Sequence, residues 1–425
     1  MAASPSGAND PAGHLWLPYT QMKTSAPPLK AVATDGAHIV LADGRRLVDG
    51  ISSWWTACHG YNHPHIRAAV HRQLEIMPHV MFGGLFHEPA ERLAQRLAAL
   101  LPGDLNRVFF SESGSVSVEI AMKMALQYRI NRGEPERTKF IAFNHAYHGD
   151  TIGAMSVCDP EDGMHTVFGG LLAQQHIVPL PSDSADFGAF DDYLTRYAGE
   201  CTAIIMEPLV QGAGGMKFHV PEVLAGLFAR AQAHGLLFIL DEIMTGFGRT
   251  GTMFACEQAG IAPDIVTLSK ALTGGTMALA ATVASDPVFE AFLSDDPDAA
   301  FMHGPTYMAN PLACAAANAS LDLFETEPRL QQVAAIEAHL RDALEPCRDL
   351  PGIVDVRTRG AIGVVQVDDL SANAWLKARF VEEGVWIRPF GDIVYVMPPF
   401  VIGEEDLTLL TGAVGTVMRE WSRRR

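Results

Sequence analysis

Two ionisable residues stand where a sheet would deliver them to a ligand. The apolar run Leu236 to Leu240 stops abruptly at Asp241 and Glu242, and the run Ile265 to Leu268 stops at Ser269 and Lys270. Short apolar runs bounded by turn residues read as buried parallel strands. In open α/β sheets, ligands lie just beyond the carboxyl ends of such strands. Asp241 and Lys270 are therefore expected in one crevice. Taken alone, the pair is also compatible with a salt bridge or with two unrelated surface charges, because both residue types are mostly exposed.

A second segment bears on that choice. The apolar strand Val108–Phe110 runs into Ser111-Glu112-Ser113-Gly114-Ser115 and then a helix over 116–128. Strand, Gly/Ser turn and helix start make an anion site, because free N–H groups and the helix dipole both favour a phosphate. Simple N-capping by Ser113 or Ser115 is the competing explanation. A buried carboxylate, a lysine amine and a phosphate cradle together suit pyridoxal phosphate. The amine condenses with its aldehyde, and the carboxylate keeps the pyridine nitrogen protonated. Met302-His303-Gly304-Pro305-Thr306-Tyr307 precedes a small-residue helix over 311–324 and is a second phosphate-type signal. His59, His63 and His65 have no suitably spaced Cys or carboxylate partner, so no metal is expected; Pro64 reads as a helix start.

The runs Asp-Glu-Ile-Met-Thr-Gly-Phe-Gly-Arg-Thr-Gly (241–251) and Ser-Lys-Ala-Leu-Thr-Gly-Gly (269–275) resemble the class III, fold type I aminotransferases. Within them, Ser-Ser-Trp-Trp (52–55), Pro-Tyr-Thr (18–20) and 153–160 are most similar to the branch serving biotin synthesis. That branch usually has His before the Pro-Tyr-Thr proline, and here the residue is Leu17. The resemblance implies a catalytic Lys270 and Asp241 and a phosphate on Gly114 and Ser115. Tyr147 would lie against one face of the pyridine. Ile243, two residues beyond Asp241 and so on the same side of a strand, would pack on the other. Gln211 is a candidate donor to the phenolic oxygen, and Glu207 is a carboxylate able to pair with a substrate-binding arginine. The substrate wall would be Tyr19, which is also a catalytic candidate, with Trp54, Trp55, Tyr147, Lys270 and Gly304. Arg388 would take the substrate carboxylate, a task that suits a bidentate fork. Gly304, Pro305 and Thr306 would cross a homodimer interface to the partner's cofactor phosphate. S-adenosylmethionine is the implied amino donor and 8-amino-7-oxononanoate the acceptor. A lysine-donor variant and a general ω-amino-acid enzyme remain open, and a non-enzymatic member of the fold would be expected to lack Lys270 or Asp241.

These residues need a scaffold. The 425 residues are too many for one ordinary domain, and 48% hydrophobic content supplies a large core. The resemblance implies an α/β fold, with a large domain built on a mostly parallel seven-stranded sheet flanked by helices. A smaller α+β domain would come from the N- and C-terminal segments. The expected divisions are a disordered 1–13, an N-terminal segment 14–60 joining the small domain, a large domain 61–326 and a C-terminal small domain 327–425 with its own core. A hairpin is expected over 37–50 around Asp43-Gly44, and a helix over 88–101. Trp54 and Trp55 are neighbours, which a strand would point to opposite faces, so one is expected to line a cavity. The net charge of −18 argues against nucleic acid or an anionic membrane as partner. Six scattered cysteines, with no CxxC spacing and no run of about 18 apolar residues, point to a reduced, cytoplasmic protein.

Overall fold

The computed structural model describes residues 13–161, 165–183 and 186–425. The disorder expected for 1–13 therefore falls, except for Gly13, outside the described residues. In chain order the strands are β1 (Ala31–Asp35), β2 (His38–Leu41), β3 (Arg46–Asp49), β4 (Arg107–Ser111), β5 (Lys139–Phe143), β6 (His176–Val178), β7 (Cys201–Met206), β8 (Val210–Gln211), β9 (Lys217–Phe218), β10 (Leu237–Asp241), β11 (Ile265–Leu268), β12 (Ala280–Ala284), β13 (Ile353–Arg359), β14 (Ile362–Val367), β15 (Val385–Trp386) and β16 (Ile393–Val396).

Seven of them form the main sheet, in the order β4-β12-β11-β10-β7-β5-β6. β12 runs antiparallel to both of its neighbours, while the β11-β10-β7-β5-β6 pairings are all parallel. Every residue of β7, β10 and β11 is buried, which is why these segments read as unbroken apolar runs rather than alternating ones. From β5 the chain steps outward to β6 and then returns across the sheet to β7, β10 and β11. A reversal of strand order of this kind opens a crevice at the carboxyl ends.

Residues from both ends of the chain meet beside this sheet. β1, β2 and β3 form an antiparallel set, with the expected turn at Asp43-Gly44 between β2 and β3. β15 then adds in parallel, with Val385 opposite Val48 and Trp386 opposite Asp49. That register brings the segment after Asp49 next to the segment after Trp386, and so Trp54 next to Arg388. A three-stranded sheet, β13-β14-β16, completes the C-terminal part. Its buried side chains belong to the same continuous apolar cluster as those beneath the main sheet, from Val48 through Phe238 to Trp421, and not to the separate core expected for 327–425.

The helix expected over 88–101 spans Glu88–Leu100 and begins at the N-cap His87, with Pro89 in its first turn. His63 caps the Pro64–Ile76 helix. His59 bonds to Ser320 Oγ at 3.0 Å and accepts from Arg329 Nε at 2.9 Å, and His65 reaches Asp322 at 2.8 Å. The three histidines are thus engaged separately.

Gly360, in the β13–β14 turn, joins the C-terminal part to the loop after β10. Its φ is +53°, and a Cβ there would lie 2.6 Å from the Thr250 backbone carbon and 2.8 Å from Gly251 N. The neighbouring Ala361 N–H donates to Arg249 O at 3.0 Å. Gly360→Ala combines an unfavourable φ with a clash against main chain, and is expected to destabilise by about 2 kcal/mol or more. A lowered thermal midpoint by scanning fluorimetry is the result that checks this.

Candidate active site

β10 and β11 pair with Asp241 opposite Thr267, so the strand ends bring Asp241 and Lys270 to one cavity. Its wall includes Gly114, Ser115, Tyr147, His148, Ile243 and Trp55, and it measures about 600 Å³ with its open mouth. Lys270 is non-glycine yet has φ +41°, a strained backbone of the kind that clusters at active sites. Its Nζ lies 4.8 Å above the Trp55 ring. Burial holds the amine below the usual lysine range, against the opposing pull of Asp241, Glu207 and Asp150.

Asp241 is buried and well supplied with donors. Oδ2 is 2.7 Å from His148 Nδ1, and Oδ1 accepts from Ile243 N–H at 3.1 Å and from the Thr267 hydroxyl at 3.3 Å. β10 ends at Asp241, so Ile243 reaches the cavity from the following turn rather than from the strand. The carboxylate itself fixes that turn. Ile243 also packs on Gly114, where a Cβ would fall 2.9 Å from its Cδ1. Gly114 and Ser115 open the helix Gly114–Asn131. The N-cap Ser113 takes Val116 N–H with its side chain at 3.3 Å and Ser117 N–H with its carbonyl at 3.0 Å. Capping and an anion site are therefore compatible here: Ser113 does the first, and the N–H groups of Gly114 and Ser115 remain for the second.

Asp150 organises the mouth. Tyr19 Oη donates to its Oδ2 at 2.5 Å, Tyr147 Oη to its Oδ1 at 2.9 Å, and His165 Nε2 lies 2.8 Å from Oδ1. Burial alone would raise this carboxyl, but the three donors outweigh it and hold it below its ordinary value. Burial pushes the Tyr147 phenol well above its usual range. Tyr19 meets Trp54 edge-on at 5.8 Å, and the Arg388 guanidinium lies 4.7 Å over the other ring, that of Trp54. Trp54 is 39% exposed and Trp55 6%. Each has φ above +60°, in one left-handed turn that includes Ser52 and Ser53, at an intrinsic cost of about 1–2 kcal/mol per residue. Opposite placement of the two rings follows from that turn and not from a strand.

A class III aminotransferase model matches residues 19–418. The chain belongs to the class III aminotransferase family. Its structure overlays on the crystal structure of adenosylmethionine-8-amino-7-oxononanoate aminotransferase from Methanocaldococcus jannaschii with a TM-score of 0.91 and 32% identity, covering 96% of this chain and 97% of the other. An amine transaminase from an uncultivated Pseudomonas species, solved in a PLP-bound form, gives 0.90 at 30% identity, over 97% and 100%. In sequence, the adenosylmethionine-8-amino-7-oxononanoate aminotransferase of Corynebacterium glutamicum is 44% identical over 414 residues, 96% of this chain and 97% of that one. The fold is that of the fold type I aminotransferases, and the chain is an aminotransferase.

Eight of the residues singled out by sequence line the aminotransferase cavity: Trp55, Gly114, Ser115, Tyr147, Glu207, Asp241, Ile243 and Lys270. Tyr19, Trp54 and Arg388 gather at its mouth. Glu207 spends Oε2 on Tyr147 N–H at 3.1 Å and Oε1 on Gly212 N–H at 2.8 Å; burial pushes its carboxyl up to about 7. Gln211 stands outside the wall, its Nε2 donating to Asn144 O at 2.8 Å. Gly304, Pro305 and Thr306 are also outside the wall, in a partly exposed loop where Tyr307 packs on His79 at 4.6 Å. His148 and Asp150 are the main residues that sequence reasoning underrated. Both lie in the stretch 145–150 beside Tyr147, and only the fold shows that one reaches Asp241 and the other Tyr19.

Any effect of His148 on chemistry in the cavity would pass through Asp241, to which its Nδ1 is bonded. His148→Ala removes a hydrogen bond to a buried charge, a contribution of about 1.5–3 kcal/mol, so kcat/KM for transamination is expected to fall by about 10–100-fold. Added imidazole should recover part of that loss in steady-state assays.

Proposed function

We propose that this aminotransferase converts 8-amino-7-oxononanoate to 7,8-diaminononanoate, a step of biotin synthesis, with S-adenosylmethionine as amino donor and pyridoxal phosphate as cofactor. One observation carries the reading. Lys270 and Asp241 converge over a helix N-terminus, in a chain that aligns along 96% of its length with a relative named for this reaction.

The residues present fit the cofactor. Gly114 and Ser115 would hold its phosphate, Tyr147 and Ile243 its two ring faces, Asp241 its ring nitrogen and Lys270 its aldehyde carbon. When bound, pyridoxal phosphate supplies the electron sink that stabilises charge on the donor α-carbon. Lys270 Nζ is the base that takes the proton from that carbon, a role favoured by an amine held below its usual range. Asp241 would face the ring nitrogen, and His148 holds that carboxylate in place. Arg388 leaves the Trp54 face to take a substrate carboxylate, while Tyr19 and Tyr147, tied to Asp150, shape the wall for the aliphatic chain. Exclusion of water falls to Trp54 and Trp55.

The active unit in this proposal is a homodimer. The loop carrying Gly304, Pro305 and Thr306 stands away from its own cavity, which supports a role at the partner's phosphate. We also keep as proposals the division into 14–60, 61–326 and 327–425, supported by the β3–β15 pairing that ties the two ends of the chain together, and a cytoplasmic location, supported by six buried, unpaired cysteines.

Lys270→Ala is expected to abolish turnover, and full activity in that variant would remove Lys270 from the mechanism. Protein loaded with pyridoxal phosphate is expected to lose its visible absorption on mixing with S-adenosylmethionine alone and to keep it with lysine alone. The reverse pattern would retain the aminotransferase and replace the donor. Loss with neither would favour an ω-amino-acid substrate.

A further inference from the structure

Four consecutive non-glycine residues, Ser52, Ser53, Trp54 and Trp55, have φ of +49°, +49°, +63° and +74°. They make a turn of left-handed helix, closed by Trp55 N–H on Ile51 O at 2.8 Å and Thr56 N–H on Ser52 O at 2.9 Å. L-residues visit this region singly, not in runs. Strain of this kind persists only where the surroundings over-determine it, and it gathers at functional sites.

The surroundings here centre on Asp49. It is completely buried. Its Oδ1 accepts from Ile51 N–H at 3.0 Å, and its Oδ2 accepts from Ser53 N–H at 2.7 Å and from the Tyr61 hydroxyl at 2.6 Å. One carboxylate thus grips the entry to the turn and its second residue. Ser52 adds a tether, donating to Met397 O at 2.7 Å. The turn separates two adjacent indoles. Trp55 goes inward beneath Lys270 Nζ, with its Nε1 donating to Tyr395 Oη at 3.3 Å, while Trp54 stands between Tyr19 and Arg388.

We propose that Asp49 is a positioning residue for substrate recognition: its carboxylate holds Ser52–Trp55 left-handed and thereby sets both tryptophans of the substrate wall. This rests on the aminotransferase function proposed above. Asn at this position turns an NH2 toward one of the N–H donors and breaks that arm of the grip. Ser53 has an exposed side chain, and glycine accepts its positive φ without steric cost. Ser53→Gly should therefore support the turn through its backbone, although it also removes the Ser53 side-chain contact with Tyr61.

The test compares Asp49→Asn, Ser53→Gly and the double variant with the wild type by thermal melting and by steady-state kinetics on 8-amino-7-oxononanoate, each as the pyridoxal phosphate holoenzyme. Asp49→Asn is expected to raise KM about tenfold, with a smaller change in kcat. Ser53→Gly alone should raise the melting temperature, and adding it to Asp49→Asn should bring KM back toward the wild-type value. A wild-type KM in Asp49→Asn, a KM that glycine does not restore, or a lower melting temperature for Ser53→Gly would overturn the assignment. If Asp49→Asn does not fold, Tyr61→Phe, which removes one of the three donors, is read in the same way with a smaller KM rise. A wild type inactive on this substrate would overturn the substrate reading instead. The Ser53→Gly melt then decides the role of the turn: a rise supports it and a fall rejects it.

Discussion

Parallel pairing of β10 with β11, Asp241 opposite Thr267, puts a carboxylate and a lysine amine at neighbouring strand ends under apolar cover. Both strands are buried throughout, so neither can slip by a residue without turning its core side chains the wrong way. The cavity inherits that rigidity. Low dielectric then does two things. It makes the bonds from His148, Ile243 and Thr267 to Asp241 strong, and it holds the Lys270 amine below its usual range.

Around this fixed pair the chain spends strain where side chains must be aimed. Lys270 and the run Ser52–Trp55 occupy backbone that non-glycine residues avoid, and each is held by neighbours that leave little choice. For the tryptophans those neighbours come from Asp49 and from Met397, nearly 350 positions away. The pairing of β3 with β15 makes that possible and also delivers Arg388 to the face of Trp54. In the function proposed above, the substrate wall comes from the two ends of the chain and the cofactor side from its middle.

Asp150 links the two halves. Tyr19 comes from the N-terminal segment and Tyr147 from the end of β5, and both donate to the same carboxylate. Asp150, tied to two phenols and to His165, and Arg388, stacked on Trp54, put one anion and one cation at that mouth. The mouth therefore offers an aromatic channel with one fork at its edge, a shape that suits a long, flexible chain ending in a carboxylate.

Much of this was legible in the sequence. Apolar runs ending in Asp241 and in Lys270 are local signals, since the burial of a parallel strand requires them. The Gly/Ser turn at 113–115 before a helix is equally local, because capping and N-terminal N–H groups belong to the first turn itself. Tertiary structure alone decided the rest. Nothing near His148 in the chain says that it meets Asp241, 93 positions on, and nothing near Gln211 says that its amide is taken by Asn144. The left-handed turn at Ser52–Trp55 runs against every local preference of its residues, and contacts distant in sequence are what hold it. Local physics chose the strands, the helix start and the reactive pair. Long-range contacts chose which side chains face them, because orientation at a strained or loop position is set by whatever packs against it.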